Sequence, residues 1–321
     1  MFDSLLITGI GRYSLGEAVV RDFSQRDRAN RVFGMDMARN SDLKETKRFR
    51  QVVFNLNPLQ YERGFEAFAE NLVRTLRLEL STADSRPSCL IQCAGIYESG
   101  LLQEMQVAAR GRLLGTNILA LTEVLYAVMA LNAETGISNR AKFTSVIVGS
   151  VYGLYSSPKR ALYSASKSYG LALAASLAKG NEVSRSIYIA PGPIDTPMLH
   201  RNHWVIKANG PERLFYKLLQ GNPNNYKRIF IEGDQAALLL ATRDCAASET
   251  DTLYEVFLRY KAARERAIKE RLGVLSPKEC ARAIIDVVED EASRSGVYLL
   301  RRTEGQPSVS VIAYSDIDQL V

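Results

Sequence analysis

The apolar residues of the chain fall into short continuous runs separated by longer stretches with helical spacing. The first two runs, Ser4–Thr8 and Arg31–Asp36, have mostly apolar interiors, as in strands buried on both faces of a sheet. Between such runs, segments such as Leu59–Leu80 place large apolar residues on one side of a helix. This alternation, without internal repeats, predicts an α/β fold with a doubly wound parallel sheet and helices on both faces. Further strands are predicted at Gln51–Leu56, Ser88–Ala94, Lys142–Val148, Arg185–Ala190 and Val297–Leu300, with a possible edge strand at Ser308–Ala313.

The regular alternation, which includes a long helical region over Leu102–Asn132, stops after Met198. Residues 199–274 contain several helical segments and polar turns, and we expect them to form a mostly helical insert within a single domain of residues 1–321. The pattern resumes at Ser276-Pro-Lys-Glu279, a capping box with proline at an early helical position, which predicts a helix through Val288. Residues 302–321 are predicted to be a C-terminal tail.

Several residues that could bind a ligand come directly after the predicted strands. In parallel sheets of this kind, ligands bind beyond the carboxyl ends of the strands. Glycines 9, 11 and 16 lie between the first strand and the following helix, where backbone N–H groups can hold a phosphate, although a simple tight turn would look the same. The second strand ends in Asp36, where such folds place a carboxylate that binds ribose hydroxyls.

The stretch Ser150–Lys167 carries the most specific candidate chemistry. Tyr163 and Lys167 stand four residues apart at a helix start, so both side chains share one face. A nearby ammonium lowers the pKa of a phenol, which would let Tyr163 act as a general acid or base, while Ser150 supplies a second hydrogen bond. Tyr155 and Lys159 have the same spacing, but Pro158 between them is incompatible with a helix interior.

Composition narrows the class of protein further. The 321 residues carry a formal net charge of +6, which suits anionic ligands but is scattered and does not predict nucleic-acid binding. The four cysteines and two histidines lack metal-ligand spacing, so no metal site is expected. Neither a leader pattern at the N-terminus nor an apolar run of membrane-spanning length is evident, and we expect a cytoplasmic protein that does not bind membranes.

Taken in order, these motifs resemble those of the short-chain dehydrogenase/reductase family, over about residues 2–198 and again from Ser276 to Leu300. Tyr163-Ser-Ala-Ser-Lys167 is similar to the family's Tyr-x-x-x-Lys motif, and Ser150 precedes it at the family's spacing. Asn117 matches the fourth member of the catalytic tetrad, and Pro191-Gly-Pro-Ile-Asp-Thr196 matches the segment that holds the nicotinamide carboxamide. The resemblance implies a Rossmann-like fold, with hydride transfer between a nicotinamide and an alcohol or ketone.

The resemblance also assigns roles. Tyr163 is the general acid/base, Ser150 steadies the substrate oxygen, Lys167 also binds the nicotinamide ribose, and Asn117 holds a water in a proton relay, although a buried asparagine satisfied by backbone is the alternative. The implied cofactor-binding residues are Gly9, Gly11, Arg12, Ser14, Leu15, Asp36, Asn55, Leu56, Ala94, Gly95, Tyr163, Lys167, Pro191, Gly192, Ile194 and Thr196. Asp36 favours NAD as cofactor, because a carboxylate repels a 2′-phosphate, but Arg12 and Arg39 leave NADP possible.

The chain departs from the family pattern in three places. The glycine motif becomes Thr8-Gly-Ile-Gly-Arg-Tyr-Ser-Leu-Gly16, with one extra residue and Ser14 where the middle glycine is expected. The family's Asn-Asn-Ala-Gly becomes Gln92-Cys-Ala-Gly95, and the insert 199–274 is longer than the usual substrate loop. The first two changes affect the expected cofactor site rather than the reacting residues.

The predicted function is therefore a nicotinamide-dependent oxidoreductase that acts on a secondary alcohol or ketone. Two alternatives remain: a cofactor-binding scaffold or regulatory homologue with little catalysis, and an epimerase or dehydratase from a longer branch of the family. The family implies a homodimer or homotetramer, and the insert could act as a lid or an oligomer contact. Candidate substrate-binding residues are Tyr97, Tyr152, Tyr155, His200 and Trp204.

Overall fold

A computed structural model of the chain describes residues 2–26, 29–80, 86–134, 143–156, 160–199, 273–290, 292–303 and 306–317. Residues up to Pro197 and from Leu275 onward form one compact unit. The predicted insert 199–274 falls almost entirely outside the described residues, and His200 and Trp204 lie outside them as well.

Eight strands form a single sheet in the order β3-β2-β1-β4-β5-β6-β7-β8. All neighbouring pairs are parallel except β7 and β8, which are antiparallel. The predicted doubly wound α/β fold is confirmed. The strands are β1 (Phe2–Thr8), β2 (Ala29–Asp36), β3 (Phe49–Val53), β4 (Cys89–Gln92), β5 (Thr144–Val148), β6 (Arg185–Pro191), β7 (Gly296–Thr303) and β8 (Gln306–Ile312).

Helices cover both faces of this sheet. The described helices are α1 (Leu15–Arg26), α2 (Gly64–Glu79), α3 (Val107–Leu114), α4 (Leu121–Glu134), α5 (Ala161–Lys179), α6 (Pro277–Glu289) and α7 (Tyr314–Ile317). Because side chains alternate along β1, Leu5 and Ile7 join the core that includes α1 and α6, whereas Leu6 joins the core that includes α2 and α4. Burial on both faces explains why the strands contain continuous apolar runs.

The region predicted as one helix from Leu59 begins with a separate short turn. Asn57 caps a 3-10 turn over Pro58–Gln60 by accepting the N–H of Leu59, and α2 begins only at Gly64, which has a φ of 68°. The predicted strand Gln51–Leu56 is likewise displaced, because β3 ends at Val53. The apolar residues at 54, 56 and 68 pack together in the core, so their periodicity was correct although the element boundaries were not.

The long helical region predicted over Leu102–Asn132 is interrupted twice. A 3-10 turn over Leu102–Glu104 precedes α3, and a π-helical turn over Gly115–Ala120 separates α3 from α4. The π turn contains Asn117, which is 2% exposed. Turns of this type insert an extra residue per turn and frequently occur at functional sites.

The helical span Val107–Glu134 includes α3, the π turn and α4. By length and composition it is long and apolar enough to cross a membrane, which was not expected from the sequence. Half of its most apolar window is buried inside the protein. Val124, Val128 and Leu131 pack in the core against residues of α2 and β4. This packing is that of a core helix, for which the same length and composition are common.

The C-terminal part completes the sheet. The capping box is present, since Ser276 accepts the N–H of Glu279 and the Glu279 carboxylate accepts the N–H of Ser276. Arg302 of β7 donates to both carboxylate oxygens of Glu279, at 2.6 and 2.8 Å, and so ties the start of α6 to the sheet. The predicted edge strand is present as β8, within the segment expected to be a tail.

The buried side chain of Tyr188, in β6, joins three elements at one end of the sheet. Its hydroxyl accepts the N–H of Ser150 at 3.2 Å and lies 3.0 Å from the carbonyl oxygen of Lys167, to which it can donate. A Cβ at Gly149 would lie 1.9 Å from the Tyr188 ring, and one at Gly153 would lie 2.2 Å from its hydroxyl. The ring therefore requires glycine at both positions, and it fixes the chain after β5 against β6 and α5.

We expect Tyr188→Phe to lower the free energy of unfolding by about 1–3 kcal/mol, because it leaves the buried N–H of Ser150 without this acceptor. Urea denaturation and hydrogen exchange of the Ser150 amide would measure the effect. Tyr314→Phe is a matched control, since the Tyr314 hydroxyl donates to the buried carbonyl of Ser186 instead. Faster exchange at Ser150 in Tyr188→Phe only is the expected result; equal exchange in both variants would contradict it.

Candidate active site

The carboxyl ends of β1, β2, β4, β5 and β6 bring most of the predicted site residues to one edge of the sheet. Ser150 follows β5, the loop from Cys93 follows β4, and Tyr163 and Lys167 lie in the first turns of α5. The parallel arrangement explains this convergence, since all five strands end at the same edge. Tyr163, Ser150 and Asn117 are each less than 9% exposed.

Tyr163 and Ser150 form the predicted pair. Burial raises the pKa of Tyr163 to about 12, while its hydrogen bond with the Ser150 side chain opposes this rise. Ser150 has extended backbone and caps the 3-10 turn Val151–Gly153, where its hydroxyl oxygen accepts the N–H of Tyr152 at 3.2 Å. The Ser150 hydroxyl is thus held by its own turn and directed to the phenol.

Lys167 lies next to the phenol, but the expected electrostatic effect is not the dominant one. Its ammonium nitrogen is 5.8 Å from the centroid of the Tyr163 ring and 3.4 Å from the carbonyl oxygen of Val148. Burial lowers the pKa of Lys167 to about 8. The sequence predicted a lowered pKa for the phenol; the structure shows a raised one, because removal of Tyr163 from solvent outweighs the charges around it.

Asn117 positions the loop that follows β4. Its side-chain oxygen accepts the N–H of Ile96 at 2.8 Å, and its amide nitrogen donates to the carbonyl of Ile96 at 2.9 Å and to the Ser166 hydroxyl at 3.1 Å. The side chain therefore links the π turn, the loop after β4 and α5. This is the arrangement of a buried asparagine with satisfied hydrogen bonds, which was the alternative to a water-binding role.

The altered glycine loop has its own geometry. Gly9 has a φ of 75°, and a Cβ there would lie 2.6 Å from the backbone nitrogen of Ala94. The Ser14 hydroxyl donates to the carbonyl of Gly9 at 2.8 Å and accepts the N–H of Glu17 at 3.0 Å. Ser14 therefore replaces the expected glycine with a side chain that caps α1 and closes the loop.

Sequence analysis did not identify a role for Glu17. Its carboxylate accepts the N–H of Tyr13, a residue with a φ of 60°, and pairs with Arg21 at 2.7 Å. An acidic residue in the first turn of a helix was the available signal. One backbone donor of the loop is thus taken by a carboxylate of the chain itself.

Asp36 and the two arginines lie near the end of β2. One oxygen of Asp36 accepts the N–H of Gly11 at 2.8 Å and the other accepts that of Met37 at 2.7 Å. Burial raises the pKa of Asp36, and these bonds oppose the rise. Arg12 donates two hydrogen bonds of 2.7 Å to Asp42, and Arg39 pairs with Glu45 at 3.1 Å. Both arginines are therefore paired with carboxylates.

The remaining predicted cofactor-binding residues lie along the same edge. Ala94 donates its N–H to the Thr8 hydroxyl at 3.2 Å, and Gly192 donates to the carbonyl of Leu300 at 2.7 Å. Ile194 forms a parallel bridge with Leu275, and the N–H of Thr196 donates to Ile194 at 2.8 Å. The others are Leu15, buried at the start of α1, Asn55 and Leu56, in the loop after β3, and Pro191, the last residue of β6.

Aromatic residues surround Tyr163, and with them lies an arginine that sequence analysis missed. The ring centroid of Tyr97 is 4.7 Å from that of Tyr163, and that of Tyr152 is 6.3 Å away. Tyr155 contacts Tyr152 at 5.5 Å but is 57% exposed. Arg160 donates to the hydroxyls of Tyr97 and Tyr152. Its position one residue before α5 was the only signal in the sequence.

Comparisons with solved structures agree with this fold. Solved structures with this fold include 4-hydroxyisoleucine dehydrogenase complexed with NADH (19% identity, TM-score 0.59), Thermoplasma acidophilum aldohexose dehydrogenase in ligand-free form (17%, 0.59) and ElxO with NADP bound (15%, 0.58). The alignments cover 92%, 92% and 93% of this chain and 96%, 90% and 97% of those chains. A search of curated proteins found no match.

A family model gives the assignment that these distant structures alone do not. The model for short chain dehydrogenases matches residues 4–204, which is more than half of the chain and includes every member of the predicted tetrad. The fold, the strand-end site and this match agree, and the chain belongs to the short chain dehydrogenase family of oxidoreductases.

Proposed function

We propose that this protein is an NAD(P)-dependent oxidoreductase that interconverts a secondary alcohol and a ketone. The observation that carries the proposal is the convergence of Ser150, Tyr163 and Lys167 at the carboxyl end of the sheet, where the Ser150 side chain lowers the pKa of the phenol against burial and the Lys167 nitrogen lies 5.8 Å from the centroid of the Tyr163 ring. Spacing along the sequence suggested this group, and the packing of β5, α5 and β6 supports it. A phenol and a serine hydroxyl together can bind and protonate a carbonyl oxygen.

The residues along the strand ends fit a dinucleotide. Glycine stands at three of these positions: a Cβ at Gly9 would lie 2.6 Å from the backbone of Ala94, one at Gly11 would lie 3.5 Å from Asp36, and one at Gly95 would lie 3.1 Å from the Lys167 nitrogen. Asp36 suits ribose hydroxyls, and two of the solved structures named above carry NADH or NADP. The cofactor would be held by these residues together with the segment Pro191–Thr196.

In this mechanism a bound nicotinamide supplies or accepts the hydride. Tyr163 donates a proton to the carbonyl oxygen during reduction, and its raised pKa keeps the phenol protonated until the oxygen becomes basic. Ser150 donates a hydrogen bond to the same oxygen and stabilises the developing charge. Lys167 stabilises the phenolate that remains, and Asn117 holds the loop after β4 in place. A role of Asn117 in a water relay remains a prediction.

Other functions remain as alternatives with different consequences. Glu17, which occupies a donor of the glycine loop, is the observation that favours a scaffold with weak cofactor binding. Such a protein would bind both nicotinamides only weakly in a fluorescence titration and would show little turnover. An epimerase or dehydratase would convert a substrate without net oxidation of the cofactor. We also propose a single domain with residues 199–274 as a substrate loop, and a homodimer or homotetramer.

We expect Tyr163→Phe to lower kcat by roughly 10²–10⁴-fold, because the proton donor is removed, while nicotinamide binding is largely retained. Cofactor absorbance with a panel of alcohols and ketones measures the first effect, and fluorescence titration measures the second. Tyr169→Phe is a matched control on the same helix, since the Tyr169 hydroxyl bonds to Thr122. Equal activity of Tyr163→Phe and Tyr169→Phe would show that Tyr163 is not the proton donor.

We expect Lys167→Met to be more stable than the wild type at pH 7, by about 1–2 kcal/mol. The folded-state pKa of Lys167 is lowered to about 8, so below that pH the folded chain carries a charge that burial disfavours. Some of the side chain still reaches solvent, which reduces the effect. As pH rises above 8 the folded chain loses this proton before the unfolded chain does, the wild type gains stability, and the advantage of Lys167→Met shrinks.

Urea denaturation of both proteins at pH 7 and pH 9.5 tests the sign of this dependence. Lys179→Met, at an exposed lysine of the same helix, is the control and should show no such change between the two pH values. The expected burial cost would be contradicted if Lys167→Met were no more stable than the wild type at pH 7, or if its advantage in stability grew with pH.

For the cofactor, we expect NADH to be preferred to NADPH. Asp36 repels a 2′-phosphate, and the charges of Arg12 and Arg39 are already paired with Asp42 and Glu45. Asp36→Asn removes the charge but keeps an oxygen to accept a backbone N–H. It should raise the ratio of NADPH to NADH affinity by about tenfold or more, as measured by fluorescence titration. A wild type that prefers NADPH would refute the assignment.

A further inference from the structure

Arg160 is held beside the reactive phenol by two other phenols. Its Nε donates to the Tyr97 hydroxyl at 2.9 Å, and its Nη1 donates to the Tyr152 hydroxyl. The guanidinium carbon also lies 4.4 Å from the centroid of the Tyr152 ring. These contacts help to fix the direction of the guanidinium, and both tyrosines lie in segments that follow strands ending at the site.

This cluster directly borders Tyr163. The Tyr97 and Tyr152 rings contact the Tyr163 ring, with centroids 4.7 and 6.3 Å apart. The charge of Arg160 acts on the phenol, since it lowers the pKa of Tyr163 against the effect of burial. A molecule whose carbonyl oxygen is bonded to Tyr163 would thus have its neighbouring atoms within reach of the cluster.

The hydrogen bonds of the cluster favour a negatively charged group. A phenol oxygen that accepts a guanidinium N–H still has its own O–H to donate. Tyr97 and Tyr152 therefore offer two O–H donors next to one positive charge. A carboxylate has one negative charge and two acceptor oxygens, so its charge and its acceptors match this arrangement.

We propose that Arg160, Tyr97 and Tyr152 bind a substrate carboxylate, and that the substrate is a short oxo acid or the corresponding hydroxy acid. The inference rests on the oxidoreductase function proposed above and adds the class of substrate. In the reducing direction, the carbonyl carbon gains a hydride from the reduced nicotinamide and the carbonyl oxygen gains a proton from Tyr163. The carboxylate is unchanged and serves only to orient the carbonyl.

In an alternative role, Arg160 acts only on the pKa of the Tyr163 phenol and does not contact the substrate. In that case its removal would slow charged and neutral substrates equally, because both need the same proton transfer. A carboxylate site instead predicts a difference between an acid and its neutral analogue. The ratio of the two rates separates the roles, whereas the rate for either substrate alone does not.

The test uses pyruvate, 2-oxobutanoate, acetoacetate and 4-oxopentanoate, each beside its methyl ester, with the full chain and excess reduced nicotinamide. We expect kcat/KM for at least one acid to exceed that of its ester by about tenfold or more. Arg160→Met should bring this ratio towards unity, mainly through KM of the acid, and Arg160→Lys should restore part of it. Tyr97→Phe combined with Tyr152→Phe should also lower the ratio.

Arg112→Met is the matched control. Arg112, in α3, pairs with Glu98 in the loop that also holds Tyr97, but it lies outside the cluster. It should leave the ratio unchanged. The inference would be overturned if kcat/KM of every ester equalled that of its acid, or if the preference for acids persisted in Arg160→Met. A pH–rate profile of Arg160→Met with an ester adds a second readout: a shift in the profile with an unchanged acid-to-ester ratio would assign Arg160 to phenol tuning and also overturn it.

Calorimetric titration of the same acids and esters into the cofactor-loaded protein separates this inference from the proposed function. Turnover of neutral ketones with no binding of acids would overturn the carboxylate site and leave the oxidoreductase function intact. Binding of an acid that depends on Arg160, without turnover of any substrate, would support the carboxylate site and contradict the proposed function. Binding of neither acids nor esters would overturn the inference.

Discussion

The hydroxyl of Tyr188 makes the hydrogen bonds on which the geometry of the candidate site depends. It bonds to the backbone of Ser150, in the loop after β5, and to that of Lys167, in α5. Because Tyr163 lies one helical turn before Lys167, fixing the carbonyl of Lys167 also fixes the start of the helix that carries the phenol. The ring can occupy this place only because positions 149 and 153 are glycine. One buried side chain in β6 thus sets the distances among three residues that follow a different strand.

The burial that fixes this geometry also controls the charges. It raises the pKa of Tyr163 to about 12 and lowers that of Lys167 to about 8, so both groups are shifted towards their neutral forms. A protonated phenol is suited to give a proton to a carbonyl oxygen, whereas the reverse reaction needs the phenolate. Ser150 and Arg160 both favour the phenolate. In the proposed mechanism, desolvation therefore favours the protonated phenol and the reducing direction, whereas the hydrogen bond and the fixed charge favour the phenolate.

Local patterns were enough to predict the sheet and several of the residues that meet at its carboxyl edge. Apolar runs located the strands within a few residues, and the capping box at Ser276 located a helix start, because both depend on neighbours in sequence. Ser150, Tyr163 and Lys167 could be found because their spacing reflects one loop and one helix. Tyr188 and Arg160 could not, since their contacts join residues 38 and 63 positions apart. The π turn at Asn117 was also missed, because a single extra residue barely changes the helical periodicity. The effect of Lys167 on the phenol was overestimated, because sequence gives the spacing of charges but not their burial.

Arg160 and Lys167 place two kinds of positive charge near one phenol. A guanidinium keeps its proton throughout the physiological range, and its planar donors suit a carboxylate. A buried ammonium with a pKa near 8 can gain or lose a proton while the enzyme works. In the proposed mechanism the lysine can therefore take part in proton transfer, next to Gly95 and the nicotinamide. In the proposed carboxylate site, the arginine instead holds a constant charge beside Tyr97 and Tyr152.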